Sequence, residues 1–279
     1  MLGIGLGLLS SLAWGVSDFL GGQQSRRMPA LVVLLVTQPV GFLLALGVAL
    51  TLGGEPPARS DLVLGVVAGV VIVTGLACFY RGMAIGPVGV VAVLVSLGSM
   101  VALVGGLIQG DDPAAIQLVG AALAITGGVL VSRRPRAAGE RISMAAIGLG
   151  LFAAVAVGSA LLLIDSAAED EPTWAIVAMR TGGASALCLA ALVTRPRISV
   201  DRASVAPLLA IAVLEITANL LFAVATNHGL ISLVSIAGSL YSAVTVILAW
   251  IILGERLAGA QRAGVVLALA GVAAIAGGA

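Results

Sequence analysis

The sequence predicts an all-α integral membrane protein with ten transmembrane helices, arranged as two inverted five-helix repeats. Three observations predict this fold: an apolar composition, ten long apolar runs separated by short breaks, and an internal similarity between the two halves. Of the 279 residues, 60% are hydrophobic and 10% are charged, whereas roughly a quarter of a soluble domain is charged. A bilayer suits such a chain, because a helix of roughly 20 apolar residues spans its hydrocarbon core.

The apolar runs have the length of membrane-spanning helices. Their hydrophobicity does not alternate strictly, which excludes the closed barrel as the spanning structure. Because the breaks are short, consecutive helices are predicted to be antiparallel neighbours, with essentially the whole chain in or at the membrane. The runs cover approximately residues 2–22, 29–52, 62–80, 87–109, 115–132, 144–164, 173–194, 205–226, 231–253 and 260–278.

Arginines gather in alternate breaks, which predicts the orientation. The even-numbered breaks hold Arg59 and the acidic residues Asp111, Asp112 and 169–171. By the positive-inside rule the odd breaks are cytoplasmic and both termini lie outside. The absence of lysine, with abundant Ala, Gly and Val, suggests a bacterial cytoplasmic membrane. The odd breaks hold Arg26, Arg27, Arg81, Arg133, Arg134, Arg136, Arg141, Arg195, Arg197, Arg202, Arg256 and Arg262.

The two halves resemble each other at a shift of 143–144 residues. The shift predicts repeats at 2–132 and 144–278, joined by an Arg-rich linker at 133–143. Five spans per half place the second copy in the membrane upside down, an inverted repeat of the kind that transporters use for alternating access. The matching positions are Gly7 with Gly150, Gly15 with Gly158, Pro29 with Pro172, Phe79 with Phe222, Gly86 with Gly229, and then, one residue later, Gly110 with Gly254, Asp111 with Glu255, Gln117 with Gln261, Gly120 with Gly264, Leu123 with Leu267 and Gly127 with Gly271.

Several segments resemble the EamA family of the drug/metabolite transporter superfamily. They are Trp14-Gly15, the junction at 80–87, the stretch at 239–245, and the Gly-Glu-Arg-Leu…Gln…Gly block at 254–264. The resemblance implies a ten-helix, two-repeat exporter or importer of metabolites, without naming a substrate. Two positions depart from the family: 110–112 reads Gly-Asp-Asp where Gly-Glu-Arg is frequent, and Ser242 stands where a proline is common.

Two ionisable residues fall well inside predicted spans, and a charge at mid-bilayer costs about 2.5–3.5 kcal/mol on insertion scales. Arg180 and Glu215 differ in depth by about one helical turn. One interpretation is a central cavity in which Arg180 holds a substrate carboxylate or phosphate and Glu215 takes a proton or meets an amine. The other interpretation is a structural ion pair between spans seven and eight.

Other polar and aromatic residues accompany this pair. Asn219 lies one turn from Glu215, and both Asn219 and Gln38 are candidates either for lining a cavity or for a bond between helices. Asp18 shares a helix face with Trp14, so it is a second candidate for proton coupling, the alternative being solvation at the interface. The aromatic candidates divide by depth: Trp14 and Tyr241 for a cavity wall, Tyr80 and Trp250 for the interfacial belt. His228 is expected to be exposed in a loop, the alternative being a pH sensor.

These features favour a secondary transporter, and they exclude several other classes of protein. The chain has no Walker P-loop, a net charge of +1 that gives no pull toward nucleic acid, and one histidine without a Cys–His cluster, so no ATP hydrolysis, metal or cofactor is predicted. An intramembrane enzyme is excluded because the chain lacks HExxH, a nucleophile elbow and paired deep aspartates. The alternative function is a membrane-embedded subunit or interaction partner of a larger transport complex.

The fifth and tenth spans carry ladders of small residues, which allow helices to approach closely. Packing within one chain is predicted, and pairing of two copies in a homodimer is the alternative. The ladders are Gly120, Ala124 and Gly128, and Ala260, Gly264 and Ala268.

Overall fold

The structure, a computed structural model, describes residues 2–86, 91, 94–132, 143–253 and 259–277. Nearly all of these residues are helical. Most of the Arg-rich linker and the Gly-Glu-Arg-Leu segment lie outside the described residues, as does the side chain of Trp250. The helices are α1 (Leu2–Arg27), α2 (Ala30–Leu52), α3 (Arg59–Ile85), α4 (Gly98–Gln109), α5 (Ala115–Ser132), α6 (Met144–Ala167), α7 (Pro172–Thr194), α8 (Arg202–Thr226), α9 (Ile231–Ser239), α10 (Tyr241–Leu253) and α11 (Gly259–Gly277).

Six of these helices, α1, α2, α3, α6, α7 and α8, are long and apolar enough to cross a membrane. Four shorter apolar segments occupy the positions of the remaining predicted spans. The chain is therefore a multi-pass helical protein. The shorter segments are Leu94–Gln109, Ala115–Leu130, Ile231–Thr245 and Arg262–Ile275.

The surface is apolar and the interior holds polar groups, which is the distribution that a lipid environment favours. Large aliphatic side chains such as Ile108 and Leu192 are more than 70% exposed. In contrast, Ser10, Thr37 and Gln38 are almost fully buried. Soluble proteins rarely expose such extensive apolar surface, so these faces are suited to contact with acyl chains.

The two halves of the chain interleave instead of forming separate bodies. The main packing partners are α1 with α8, α3 with α6 and α7, α2 with α7, α4 with α9, and α5 with α11. Each pair joins a helix of the first half to a helix of the second half. The interior is therefore shared by both halves.

Equivalent contacts recur in the two halves at the same sequence shift. Gly15 of α1 lies against Val244 of α10, and its counterpart Gly158 of α6 lies against Val101 of α4. Gly7 likewise lies against Ala237, and Gly150 against Leu94. A two-fold relation between the halves produces such paired contacts, because each residue then has the same neighbours as its counterpart.

The small-residue ladders pack against each other within the chain, as predicted. A Cβ atom at Gly120 would lie 2.7 Å from the carbonyl oxygen of Gly271, and one at Gly127 would lie 2.6 Å from that of Gly264. Helices α5 and α11 therefore approach almost backbone to backbone. Gly128, also in the predicted ladder, faces open space.

The predicted span at 231–253 is two helices, since α9 ends at Ser239 and α10 begins at Tyr241. The Ser242 hydroxyl donates to the Ser239 carbonyl at 3.3 Å. A related interruption precedes α4, where the Ser99 hydroxyl donates to the Ser96 carbonyl at 2.9 Å. Serine hydroxyls that bond to a preceding carbonyl can bend a helix, and both interruptions coincide with a Ser-Leu-x-Ser segment.

Candidate functional site

A cavity lies between the helices, and every helix named above except α5 and α11 contributes to its lining. It has a volume of about 90 Å³, which is enough to hold water molecules. The lining includes all the residues that the sequence singles out for substrate or proton binding. Their role in binding stays a prediction. They are Trp14, Asp18, Gln38, Arg180, Glu215, Asn219 and Tyr241.

Arg180 and Glu215 form a buried ion pair in this cavity, with Arg180 Nη1 3.0 Å from Glu215 Oε2. Gln38 closes a ring with them: its Oε1 accepts a hydrogen bond from Arg180 Nη1 at 2.5 Å, and its Nε2 donates to Glu215 Oε2 at 3.0 Å. The ring joins α2, α7 and α8. The pair therefore lines the cavity and, with Gln38, also links three helices, and its role in binding a substrate stays a prediction.

Arg180 uses only one of its three side-chain nitrogens in this ring. Nε and Nη2 are buried and have no hydrogen-bond partner among the described residues. The guanidinium carbon packs against α2, where a Cβ at Gly41 would lie 3.6 Å from it. The edge formed by Nε and Nη2 is the edge with which arginine binds a carboxylate or phosphate through two parallel hydrogen bonds.

Asp18 is buried inside the helix bundle. The first helix continues to Arg27, beyond the predicted end at residue 22, so Asp18 lies more than two turns from its end. Its side chain is buried at 8% exposure and lines the cavity within electrostatic reach of Glu215. No hydrogen bond or ion pair joins the Asp18 carboxylate to another described residue. The predicted span ends too early because Gln24 and Ser25 are polar and indicate a boundary, yet both residues are buried.

Asn219 lines the cavity from α8, one turn beyond Glu215. Its Nδ2 donates to the Glu215 backbone carbonyl at 2.7 Å. This bond lies within α8 and fixes the amide against its own helix. Asn219 therefore lines the cavity and makes no side-chain hydrogen bond to another described helix.

Two members of an aromatic cluster, Trp14 and Tyr241, line the cavity, and the third, Phe222, packs behind them. The rings of Trp14 and Phe222 are 5.4 Å apart, and Trp14 meets Tyr241 edge to face at 6.4 Å. Such arrangements are the favoured ones for aromatic pairs. Tyr80, predicted for the interfacial belt, is instead fully buried and lies within electrostatic reach of Asp18. That prediction is wrong because α3 runs on to Ile85 beyond the predicted end of the span.

The sequence interpretation missed several cavity residues. Ser96, Ser99, Ser235 and Ser239 also line the cavity, and their hydroxyls add small polar groups to its wall. Two of them, Ser96 and Ser239, correspond at the internal shift and open the Ser-Leu-x-Ser segments that interrupt the helices. The repeat of that segment is the signal in the sequence that could have identified them.

A second, acidic cavity of about 500 Å³ lies near one end of the bundle. Asp111, Asp165 and Glu169 line it, and none of its described lining residues is basic. The Asp111 carboxylate accepts a hydrogen bond from the backbone N–H of Ser232 at 2.8 Å, at the start of α9. Ile164 lines the central cavity and the next residue, Asp165, lines the acidic one, so the two cavities are close neighbours. His228, near this end, is exposed, as predicted.

The comparisons with known proteins agree with this architecture. The family model described as the EamA-like transporter family matches residues 1–133 and again residues 144–277. One solved crystal structure has the same fold, with a TM-score of 0.78, 15% sequence identity and coverage of 96% of this chain and 94% of that one. No curated protein is significantly similar in sequence. The chain therefore belongs to the EamA-like transporter family of the drug/metabolite transporter superfamily, and it is a multi-pass membrane transporter.

Proposed function

We propose that this protein is a secondary transporter of a small metabolite or amphipathic organic molecule, working as an exporter by alternating access in a bacterial cytoplasmic membrane. Ten transmembrane spans in two inverted repeats, with both termini outside, form the transport unit in this proposal. The paired glycine contacts of the two halves support the repeat relation. The six long and four shorter apolar segments support the number of spans.

The observation that carries the proposal is the presence of Arg180, Glu215 and Asp18 in one cavity between apolar helices. Each charge at this depth costs about 2.5–3.5 kcal/mol on insertion scales, and such groups mark substrate and ion pathways in membrane proteins. A purely structural bundle would have no need of the third charge. The arrangement therefore supports binding of a polar or charged solute between the two halves.

The charges of the cavity also support proton coupling. Its described lining has two carboxylates and one guanidinium, so it carries one net negative charge when all three are ionised. A bound proton or a cationic group on the substrate would balance that charge. Asp18 is better placed than Glu215 for this exchange, because Glu215 already accepts from Arg180 and Gln38.

The test compares small molecules in the medium and in the cytoplasm of cells that express wild type, Arg180→Ala or Glu215→Gln at matched membrane abundance. Arg81→Ala is the matched control, because Arg81 is exposed and does not line the cavity. We expect one compound class to move outward only with wild type and the control. An equal shift in all four strains would mean that the central cavity is not the substrate site, and no shift in any strain would contradict export.

Reconstitution distinguishes a self-sufficient transporter from the alternative function, a subunit of a larger transport complex. Flux through liposomes that contain only the purified chain would exclude a required partner. Dependence of flux on a copurifying protein would favour the subunit.

A further inference from the structure

We propose that a buried relay of polar side chains carries protons between Asp18 and the arginine-rich end of the helix bundle. The members of the relay are Tyr80 of α3, Gln24 and Ser25 of α1, and Ser204 of α8. The inference rests on the proposed proton coupling at Asp18, and it adds the route by which a proton reaches that carboxylate.

The four side chains of the relay share one property: each has a buried polar atom without a hydrogen-bond partner among the described residues. These atoms are the Tyr80 hydroxyl, Gln24 Oε1, Ser25 Oγ and Ser204 Oγ. The four residues are at most 7% exposed. Buried polar groups in proteins are nearly always bonded to protein or to internal water, because an unmade hydrogen bond is costly. Water is therefore the partner that these groups favour.

The order of residues along α1 connects three of these groups to Asp18. A Cβ atom at Gly21 would meet the Tyr80 hydroxyl. Gly21 follows Asp18 by three residues, and Gln24 and Ser25 follow Gly21 by three and four, so successive members are neighbours on the helix surface. Tyr80 is also within electrostatic reach of Asp18. The Tyr80 hydroxyl therefore lies between Asp18 and the last turn of α1.

Helices α1 and α8 pack in opposite directions with a register that two hydrogen bonds define. The Ser10 hydroxyl donates to the Ala218 carbonyl at 2.8 Å, and the Ser17 hydroxyl donates to the Ile211 carbonyl at 3.5 Å. Seven residues forward along α1 thus correspond to seven residues back along α8. This spacing of two helical turns keeps the same faces in contact.

The same register, continued by seven residues, places Gln24 opposite Ser204. Arg27, three residues further along α1, interacts electrostatically with Asp201, three residues before Ser204, which agrees with this register. Arg27 and Asp201 are both exposed. The Asp201 carboxylate accepts a hydrogen bond from the Ser204 backbone N–H at 2.9 Å. The relay therefore ends beside an exposed carboxylate at the arginine-rich end.

The relay leaves Asp18 on the side away from the central cavity. Glu215 on α8, Tyr80 on α3 and Tyr241 on α10 interact electrostatically with Asp18, and Arg180 on α7 is paired with Glu215. Among the lining residues that the structure describes, Tyr241 is present and Tyr80 is absent. A proton can therefore reach Asp18 from one side while a solute occupies the cavity on the other.

Transfer along the relay moves protons between hydrogen-bonded oxygens. A hydroxyl group both donates and accepts, so each hydroxyl or water passes one proton on as it receives another, and Gln24 Oε1 positions a water by accepting from it. The Asp18 carboxylate gains the last proton and becomes a neutral carboxylic acid, and nothing is oxidised or reduced. The rise from Asp18 to Ser25 is about 10 Å, which about four hydrogen bonds cover.

The test measures how fast Asp18 is protonated after a pH jump, by the infrared C=O band of its carboxyl group in the purified full-length protein. The band is identified by its absence in Asp18→Asn. Tyr80→Phe and Gln24→Leu interrupt the relay with little change in size. We expect each to slow protonation about tenfold, because an unmade hydrogen bond raises the barrier. The pH at which half of Asp18 is protonated should stay the same in Gln24→Leu.

Two control variants make similar changes outside the relay. Gln23→Leu repeats the Gln24 change at the half-buried neighbouring position, on another face of α1. Ser10→Ala also removes a buried hydroxyl from α1, at a site where the hydroxyl is already bonded. Both should keep the wild-type rate. Folding of every variant is checked by its elution as a monodisperse peak.

A wild-type rate in Tyr80→Phe or Gln24→Leu, or an equal slowing in the two controls, would overturn the proposed route. A wild-type protein in which the Asp18 band does not respond to pH would overturn both the relay and proton coupling at this residue. The measurement needs no substrate, so it is independent of the cellular comparison of medium and cytoplasm. Slowing in both relay variants alone would support the relay even if that comparison contradicts export.

Discussion

At the scale of single residues, Arg180 combines a structural contact with two buried nitrogens that have no hydrogen-bond partner. One nitrogen is held in the ring with Gln38 and Glu215, and the other two have no partner among the described residues. Breaking a buried ion pair by removing one partner costs about 3–5 kcal/mol, because the remaining charge is left uncompensated. The ring should therefore matter for stability as well as for binding.

We expect Glu215→Ala to lower the free energy of unfolding by about 3–5 kcal/mol, since it leaves Arg180 without its counter-ion. Glu215→Gln, which keeps an acceptor, should cost less. The measurement is thermal unfolding of the purified protein in detergent.

The double variant Arg180→Met/Glu215→Leu separates stability from transport. Replacing both members of a buried pair by apolar groups is often neutral or stabilising, so this variant should be about as stable as wild type yet inactive. An active double variant would show that the pair has no role in binding.

The sequence predicts part of this site and not the rest, for physical reasons. Arg180 and Glu215 stand out because a charge deep in a span is expensive, and the rise of the helix sets their depths. The ring with Gln38 depends on how α2 packs against α7, which one sequence does not specify. For Asp18 the sequence leaves proton coupling and solvation at the interface open, because polarity at Gln24 and Ser25 marks a boundary, although both residues are buried.

At the scale of helices, adjacent glycines in α5 provide a matched test of packing. A Cβ at Gly127 would meet the backbone of α11, whereas one at Gly128 has nothing within 4 Å. We expect Gly127→Val to lower the free energy of unfolding by about 1–3 kcal/mol through overpacking, and Gly128→Val to change it little. Thermal unfolding of both variants measures the difference, and equal values would contradict the close pairing of α5 and α11.

The start of α8 depends on Asp201, whose carboxylate accepts from the Ser204 backbone N–H at 2.9 Å. Hydrogen bonding with Ser204 holds the pKa of Asp201 below its ordinary value. A lowered pKa means that the ionised cap stabilises the folded state above the unfolded value of about 3.9 and loses this effect as pH falls through the folded value.

We therefore expect the first turn of α8 to be better protected from hydrogen exchange in wild type than in Asp201→Ala at pH 6. The difference, corrected for intrinsic exchange rates, should shrink toward pH 3. A difference that is independent of pH would show that the charge of the cap has no effect.

The helix interruptions show where a hydropathy pattern stops being informative. Residues 231–253 are apolar throughout, so the sequence predicts one continuous helix there. The interruption at Leu240 coincides with a serine hydroxyl that bonds to a nearby carbonyl, and serine is compatible with either geometry in a helix. The bounds of long apolar helices such as α7 and α8 were predicted to within a few residues, because apolar length determines them directly.

At the scale of the whole molecule, the two halves share a framework but not the charges of the site. At the internal shift, Asp18 corresponds to Leu161 and Glu215 to Ile72, and all four line the cavity. The framework thus places equivalent positions at one cavity, and the sequence puts a carboxylate on one side only. The repeat itself was recognisable in the sequence, whereas the convergence of these four positions required the packing of α1, α3, α6 and α8.

The predicted orientation places both termini outside the cytoplasm. Reporter fusions that are active only in the cytoplasm should therefore be inactive at the N- and C-termini and active after residue 27 or residue 197. The acidic cavity, on the opposite side from these loops, should be labelled from outside after Glu169→Cys, a position that is exposed. Cytoplasmic activity of the terminal fusions would reverse the orientation and place the acidic cavity inside the cell.

The pairing of α5 with α11 has a consequence for biosynthesis. Because α5 ends at Ser132 and α11 ends at Gly277, the synthesis of α5 is complete well before that of α11. At about 5–20 residues per second, its partner arrives roughly 7–30 seconds later. During this interval the glycine face of α5 is open to lipid or to other newly inserted helices. A nascent chain that stops before its last helix therefore leaves that glycine face without its partner.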